Sequence, residues 1–250
     1  MLIATTAIGV GVAHGERVKR GDLLLSFNAS FTPHALPRDR PAPVTVDLAG
    51  AVNTSSGVQP PQLRSIALDV NRYGRLNTRG LPTCQRGQLE STSTAVALDR
   101  CRGALVGHGL FKARVDFPNF DSFPVEGGML AFNSRAQGRP TILMHVYGSN
   151  PVEATVVLTF KVTHNKRGTF GTTLFARIPK IASDLGYVTN IELSFGRKYL
   201  HNGKLQSFIS ARCAAPDGFL GAIFPLARGT FTFANDQRLT ITLTRECDVR

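Results

Sequence analysis

The sequence predicts an all-β fold, a β-sandwich or jelly-roll-like architecture with one short helix between its first two cysteines. Three observations carry this expectation. Short stretches of alternating apolar and polar residues recur at near-regular spacing along the chain. Gly 24 and Pro 14 are spread out rather than clustered, which suits many strands joined by tight turns. The segment between Cys84 and Cys101 breaks the pattern with Ser91-Thr92-Ser93-Thr94 followed by Ala95-Val96-Ala97-Leu98. There a hydroxyl can accept from the first free N–H groups of a helix. With 42% hydrophobic and 18% charged residues over 250 positions, the chain can bury a real core. Trp is absent, and the 16 Phe are interleaved with Val, Leu and Ile, which reads as core packing.

Met1 to Ala13 is uncharged, apolar and rich in small residues. It is shorter than the roughly 20 apolar residues that span a bilayer and has the length and composition of a secretory h-region. Gly11, Ala13 and Gly15 supply small residues for a cleavage site, but no basic n-region stands in front. Residues 1–15 are therefore expected to be a truncated signal peptide whose true start lies upstream, with a buried N-terminal strand as the alternative. Arg17-Val18-Lys19-Arg20 reads as a basic linker, and Leu23 to Phe31 as the first strand. Pro33, Pro37, Pro41 and Pro43 make an extended, turn-rich connection, because each fixes φ and lacks an N–H.

Val44 to Val52 alternates like a half-buried strand. Ser65 to Asn71 and Arg75 to Thr78 flank Arg72-Tyr73-Gly74 as a hairpin. Ala104 to Phe117 is a long strand with Phe111, Ala113, Val115 and Phe117 on one side. Gly107 and Gly109 share that side, which predicts a bulge or the close approach of another backbone. Strands follow at Thr141 to Gly148, Thr155 to Thr163, Thr172 to Ile178 and Tyr187 to Phe195. The chain turns at His164-Asn165-Lys166-Arg167-Gly168, and Asn202-Gly203 marks a two-residue hairpin. Thr230 to Phe233 and Leu239 to Leu243 form a last hairpin through Asn235-Asp236. A single β-rich domain over 21–250 is expected, with two lobes meeting near 118–128 as the alternative.

The four cysteines, Cys84, Cys101, Cys213 and Cys247, contain no Cys-x-x-Cys pair and no His at zinc-ligand spacing, so disulfides are expected rather than metal. Period-two alternation puts Cys213 on the face of Leu205, Ser207, Ile209 and Ala211. It puts Cys247 with Leu239, Ile241 and Leu243. Two inward cysteines on late strands predict Cys213–Cys247, and the pair bracketing the short helix predicts Cys84–Cys101.

The chain carries no Gly-x-Ser-x-Gly, no His-Glu-x-x-His, no phosphate loop with Lys and no dinucleotide fingerprint. No catalytic, cofactor-binding or metal-ligating residue is assigned, and no cofactor is expected. Of the six histidines, His164 and His201 fall in turns, and His108 and His145 fall in strands. A hydrogen-bonded structural role is the default for the last two. A paired-carboxylate glycosidase is the enzymatic alternative, with Asp116, Asp121, Glu126, Glu153 and Glu192 as candidates. The missing indole faces argue against a sugar cleft. The net charge is +12, from Lys+Arg 29 against Asp+Glu 17, which favours polyanionic partners. The basic residues are dispersed and lack the aromatic interleaving of single-strand binders, which argues against nucleic acid.

Four pieces stand out together: Gly80-Leu81-Pro82-Thr83-Cys84, Cys101-Arg102-Gly103-Ala104-Leu105-Val106-Gly107, Leu130-Ala131-Phe132-Asn133 and Arg212-Cys213-Ala214-Ala215-Pro216. With them the chain resembles a group of uncharacterised exported, β-rich proteins of high-GC actinobacteria, from about Phe27 to Cys247. The resemblance implies export and a shared fold, and it brings no activity or functional residue. The expectation is thus a secreted or envelope-associated, basic, disulfide-stapled β module. Its role is structural or binding, its expected partner is an anionic cell-envelope polymer, and it keeps no membrane span once the signal is cleaved.

Overall fold

Leu23, Leu25, Phe27, Ala29 and Phe31 alternate with Leu24, Ser26, Asn28 and Ser30. In the computed structural model every member of the first set is buried, while the second set is only half-buried. Side chains that point alternately to two faces require a strand whose apolar face meets another layer. The structure describes residues 16–117, 119, 121–150, 153–180 and 184–250, and the signal peptide expected over 1–15 lies outside them. Strands occupy 63% of the chain and helix 7%, which makes the fold all-β and sandwich-like.

The first seven strands are β1 (Glu16–Arg20), β2 (Leu23–Thr32), β3 (Ala35–Leu36), β4 (Ala42–Pro43), β5 (Thr45–Thr54), β6 (Leu63–Asn71) and β7 (Gly74–Leu76). Helix α1 (Thr94–Cys101) precedes β8 (Leu105–Val115), β9 (Phe123–Ala136), β10 (Arg139–Asn150), β11 (Ala154–His164), β12 (Phe170–Arg177) and β13 (Gly186–Phe195). The chain ends through β14 (Lys198–His201), β15 (Lys204–Ser207), β16 (Ile209–Ala211), β17 (Gly221–Phe233) and β18 (Arg238–Val249).

Thirteen strands form one sheet in the order β1-β2-β5-β13-β8-β9-β10-β11-β12-β6-β17-β18-β3. All neighbours are antiparallel except β18 and β3. Strands twist relative to their neighbours, and over this many strands the sheet curls back on itself. Leu23, Leu25 and Phe27 of β2 pack against Phe231 and Phe233 of β17 and Leu239, Ile241 and Leu243 of β18. The two layers of the sandwich are therefore opposite halves of a single sheet. Its ends meet at a seam made by side chains. Arg245 of β18 donates to the Ala29 carbonyl at 2.8 Å and to Asn28 Oδ1 at 2.5 Å, and the Thr244 N–H donates to Glu16 Oε1 at 3.3 Å.

The interior is filled by Met129, Ala131, Ile142, Met144, Phe160, Leu193 and Phe195. On the outside of β9, β10 and β11, Leu130, Phe132, Leu143 and Val157 are covered by Ala97 of helix α1 and by Leu89 in the segment before it. That cover buries both faces of β9, which is why Met129 to Phe132 is apolar without alternation. Ser93 caps α1 by accepting from the Val96 N–H. Cys84 is bonded to Cys101, across the helix, with Cα atoms 5.5 Å apart. Cys213 is bonded to Cys247, with Cα atoms 5.7 Å apart. All four sulfurs are thus paired as predicted, although Cys213 lies just past β16 rather than on a strand.

Gly109 has the close neighbour expected of it: a Cβ there would run into the Glu192 carbonyl on β13. The ladder between β8 and β9 also bulges between Leu105 and Gly107. The strand predicted to reach Phe117 ends at Val115, and Phe117 is exposed and stacks on Phe123.

Four sequence expectations are corrected. The basic run at Arg17–Arg20 is no linker; it is most of β1, an edge strand paired with β2. The hairpin predicted around Arg72-Tyr73-Gly74 does not form, because the chain leaves the main sheet there. The Asn71 side chain takes the Tyr73 N–H at 2.9 Å and donates to the Pro225 carbonyl at 2.8 Å. β7 then joins β4 and β16 in a separate three-stranded sheet. The strand predicted from Leu205 to Cys213 is split at Phe208, whose side chain is fully buried in the interior, and Leu205 is 63% exposed. Finally β9, a strand of 14 residues, had no counterpart in the predicted set.

Candidate functional site: two basic clefts

The departure of the chain at Asn71 builds a cleft. Arg72 is held outside the main sheet by its own N–H, which donates to the Thr169 carbonyl at 3.0 Å. Gly171 at the start of β12 permits this approach, since a Cβ there would sit 2.8 Å from Arg72 Cα. β7 follows, fixed by pairing of Arg75 with Ser210 and of Gly74 with Ala211 on β16. Just past β16, the Arg212 N–H donates to the Tyr73 carbonyl, and its guanidinium lies 4.6 Å above the Tyr73 ring. The opposite wall is the end of β11 and the turn after it, where the Asn165 N–H donates to the Gly171 carbonyl at 2.8 Å.

These segments enclose an open cleft of about 670 Å³ whose basic lining is Arg72, Arg75, Lys166, Arg212 and His164. Among the described residues no carboxylate lines it. None of Arg72, Arg75, Lys166 and Arg212 is in an ion pair among the described residues. The nearby Asp69 on β6 is taken, accepting from Arg228 at 2.7 Å and from Thr173 at 2.6 Å. Arg212 also donates to the Arg38 carbonyl at 3.0 Å, and like charges that converge on a concavity without a carboxylate focus a positive potential that attracts an incoming anion. Guanidinium forks match the paired oxygens of phosphate or carboxylate.

A second, smaller cleft of about 380 Å³ lies further along the same segment, lined by Arg79, His201, Asn202, Lys204 and Gln206. Among the described residues it too has no carboxylate in its lining. The hairpin of β14 and β15 forms one wall, turning through Asn202 and Gly203, both at positive φ. The Tyr199 hydroxyl ties this hairpin to the Arg79 carbonyl at 2.9 Å.

The residues singled out from the sequence are distributed as follows. His164 and His201 each line a cleft, whereas His108 is exposed on β8. His145 is fully buried under the segment before α1, 2.9 Å from the Thr92 carbonyl. A carbonyl only accepts, so Nε2 carries the proton, and Nδ1 is left buried without a partner. Burial holds this imidazole below its ordinary pKa, with the Thr92 bond opposing.

Among the carboxylates, Glu126 pairs with Lys112 at 3.2 Å and Glu192 is exposed on β13. Glu153 is exposed beside Tyr147, whose phenol is pushed above its usual pKa by burial and then by that carboxylate. Asp121 is exposed, and Asp116 is half-buried with Oδ1 unpartnered. None of these five lines either cleft. Among the described residues no group of three or more His, Cys, Asp or Glu is placed to hold a metal ion. No helix among them is long and apolar enough to cross a membrane.

The lining arginines and lysines were not singled out from the sequence. Lys166 and Arg212 come from distant turns and resemble any solvated basic residue. The signal that was available is Arg72, Arg75 and Arg79 spaced along one short stretch of sequence. No protein-family model matches the chain, and neither curated proteins nor solved structures gave a match to it.

Proposed function

We propose that this chain is an exported, disulfide-stabilised binding module whose larger cleft takes an anionic cell-envelope polymer. The observation that carries the reading is the convergence of Arg72, Arg75, Lys166 and Arg212 on one concavity without a lining carboxylate. Two disulfides within an all-β fold support an oxidising compartment, where such bonds form and persist. The overall charge of +12 adds long-range attraction to the same class of partner.

Pelleting with purified cell walls over a salt series tests the binding. The native protein is expected to co-sediment at low salt and to be released as salt screens the contacts. The Arg72→Ala/Arg75→Ala double variant, altered at two exposed side chains, is expected to stay in the supernatant. Equal pelleting of variant and native protein would remove the cleft from the reading. Intact mass and a non-reducing peptide map of secreted protein test export. A processed N-terminus without free thiols supports it, and an intracellular chain with four free thiols overturns it.

A further inference from the structure

We infer that the two basic clefts are one continuous track, and that the ligand is a linear polymer with an anionic group in every repeat. This rests on the binding role proposed for the larger cleft, and it adds the second cleft and the form of the ligand. The clefts share a single segment. Asn77 lines the larger and Arg79 the smaller, two positions on. That segment is anchored along its length by the neighbouring strands. The Asn77 N–H donates to the Phe208 carbonyl at 2.7 Å, and Asn77 Nδ2 donates to the Ser207 carbonyl at 2.9 Å. Arg72, Arg75 and Arg79 are exposed along it, so cationic side chains punctuate the whole path rather than one end. Lys166 and Arg212 flank its beginning, and Lys204 with His201 flank its end.

Arg72 and Arg79 lie on either side of β7, whose three residues rise about 3.3 Å each, so the path between them is longer than a single phosphate or sugar acid. Both clefts are open and lined mainly by polar and charged residues, which suits an exposed chain more than an enclosed discrete molecule. The larger offers the aromatic Tyr73, but the guanidinium of Arg212 already covers a face of that ring at 4.6 Å. Base stacking needs open aromatic faces, so the chemistry favours a phosphate-bearing polyol or sugar polymer over a single-stranded nucleic acid.

A polymer that reaches both clefts gains from a second contact made at high effective concentration. Titration calorimetry at low salt with inorganic phosphate, tripolyphosphate and long-chain polyphosphate tests this. Long-chain polyphosphate is expected to bind about a hundredfold more tightly than tripolyphosphate, counted per binding site. The Arg79→Ala/Lys204→Ala variant is expected to lose that gain with chain length. Circular dichroism confirms that its fold is kept. If native protein binds tripolyphosphate and long chains equally, the continuous track is wrong while the larger cleft stands. If the double variant keeps the full gain, the smaller cleft has no part in it. No binding of any phosphate overturns both the track and the function on which it rests. Tighter binding of a single-stranded oligonucleotide than of polyphosphate at equal charge would reassign the polymer class.

Discussion

Replacing His145 with Gln should make the protein more tolerant of mild acid. His145 is fully buried, with Nε2–H given to the Thr92 carbonyl and Nδ1 facing no partner. Protonating Nδ1 would place a charge where nothing receives it, and burial accordingly lowers the folded-state pKa. The unfolded chain has no such constraint and takes up its proton near pH 6.5. A depressed folded pKa means that the unfolded state binds more protons below that point, so stability falls as pH drops. The loss starts near the unfolded value and continues down to the folded one. At about pH 5.5, one unit below the unfolded value, the penalty is at most about 1.4 kcal/mol. For a chain of this size the fall in Tm is at most about 6 °C. Glutamine keeps an N–H near the position of Nε2 but does not titrate. Thermal unfolding of both proteins at about pH 7 and about pH 5.5 isolates the histidine, because the exposed carboxylates contribute equally to both. If native protein and His145→Gln lose the same Tm over that interval, His145 is not held neutral and the account of the Thr92 contact is wrong.

Two further perturbations probe the sheet and its staples. Gly109→Ala forces a methyl into the Glu192 carbonyl of β13 and should cost about 3 kcal/mol by urea unfolding. Gly87→Ala, with open space around it, should leave the midpoint unchanged; equal behaviour of the two would contradict the strand spacing described. Opening Cys213–Cys247, which spans 34 positions, should destabilise by about 4 kcal/mol, against about 3 kcal/mol for the 17 positions of Cys84–Cys101. Each paired Cys→Ala variant measured by denaturant unfolding checks this, and a variant as stable as native protein would show that its bond constrains nothing.

Where side-chain period alone decides the outcome, the fold was legible. Cys247 follows Leu239, Ile241 and Leu243 onto one face, and the structure buries all four. Asn202-Gly203 accepts two successive positive φ values, which a two-residue hairpin demands. What stayed hidden depends on partners that no local pattern announces. β9 carries Gly127 and Gly128 in its first half, and a Cβ on Gly127 would strike the Tyr147 carbonyl. Locally that pair looks like a break in a strand, whereas it records how closely β10 approaches. β1 is polar on most positions because it is an edge. The split of β6 from β7 hinges on the Asn71 side chain capturing its own turn. The clefts inherit that problem, since Arg72 meets Lys166 and Arg212 only because β7 swings away to pair with β16. Dispersed basic residues carry no mark of where they will converge.

The seam has a consequence for how the chain reaches this shape. Glu16 and Thr244 meet across 228 positions of sequence, and the apolar face of β2 finds its cover only on β17 and β18. A chain emerging from its N-terminal end must therefore keep Leu23, Leu25 and Phe27 uncovered until almost the last strand has been made. Long-range pairing of this kind is slow and leaves sticky intermediates. The Arg17–Arg20 run sits on the strand next to that waiting surface, where like charges discourage two incomplete copies from joining edge to edge. Losing β18 would accordingly do more than shorten one end of the sheet; it would unroof the other.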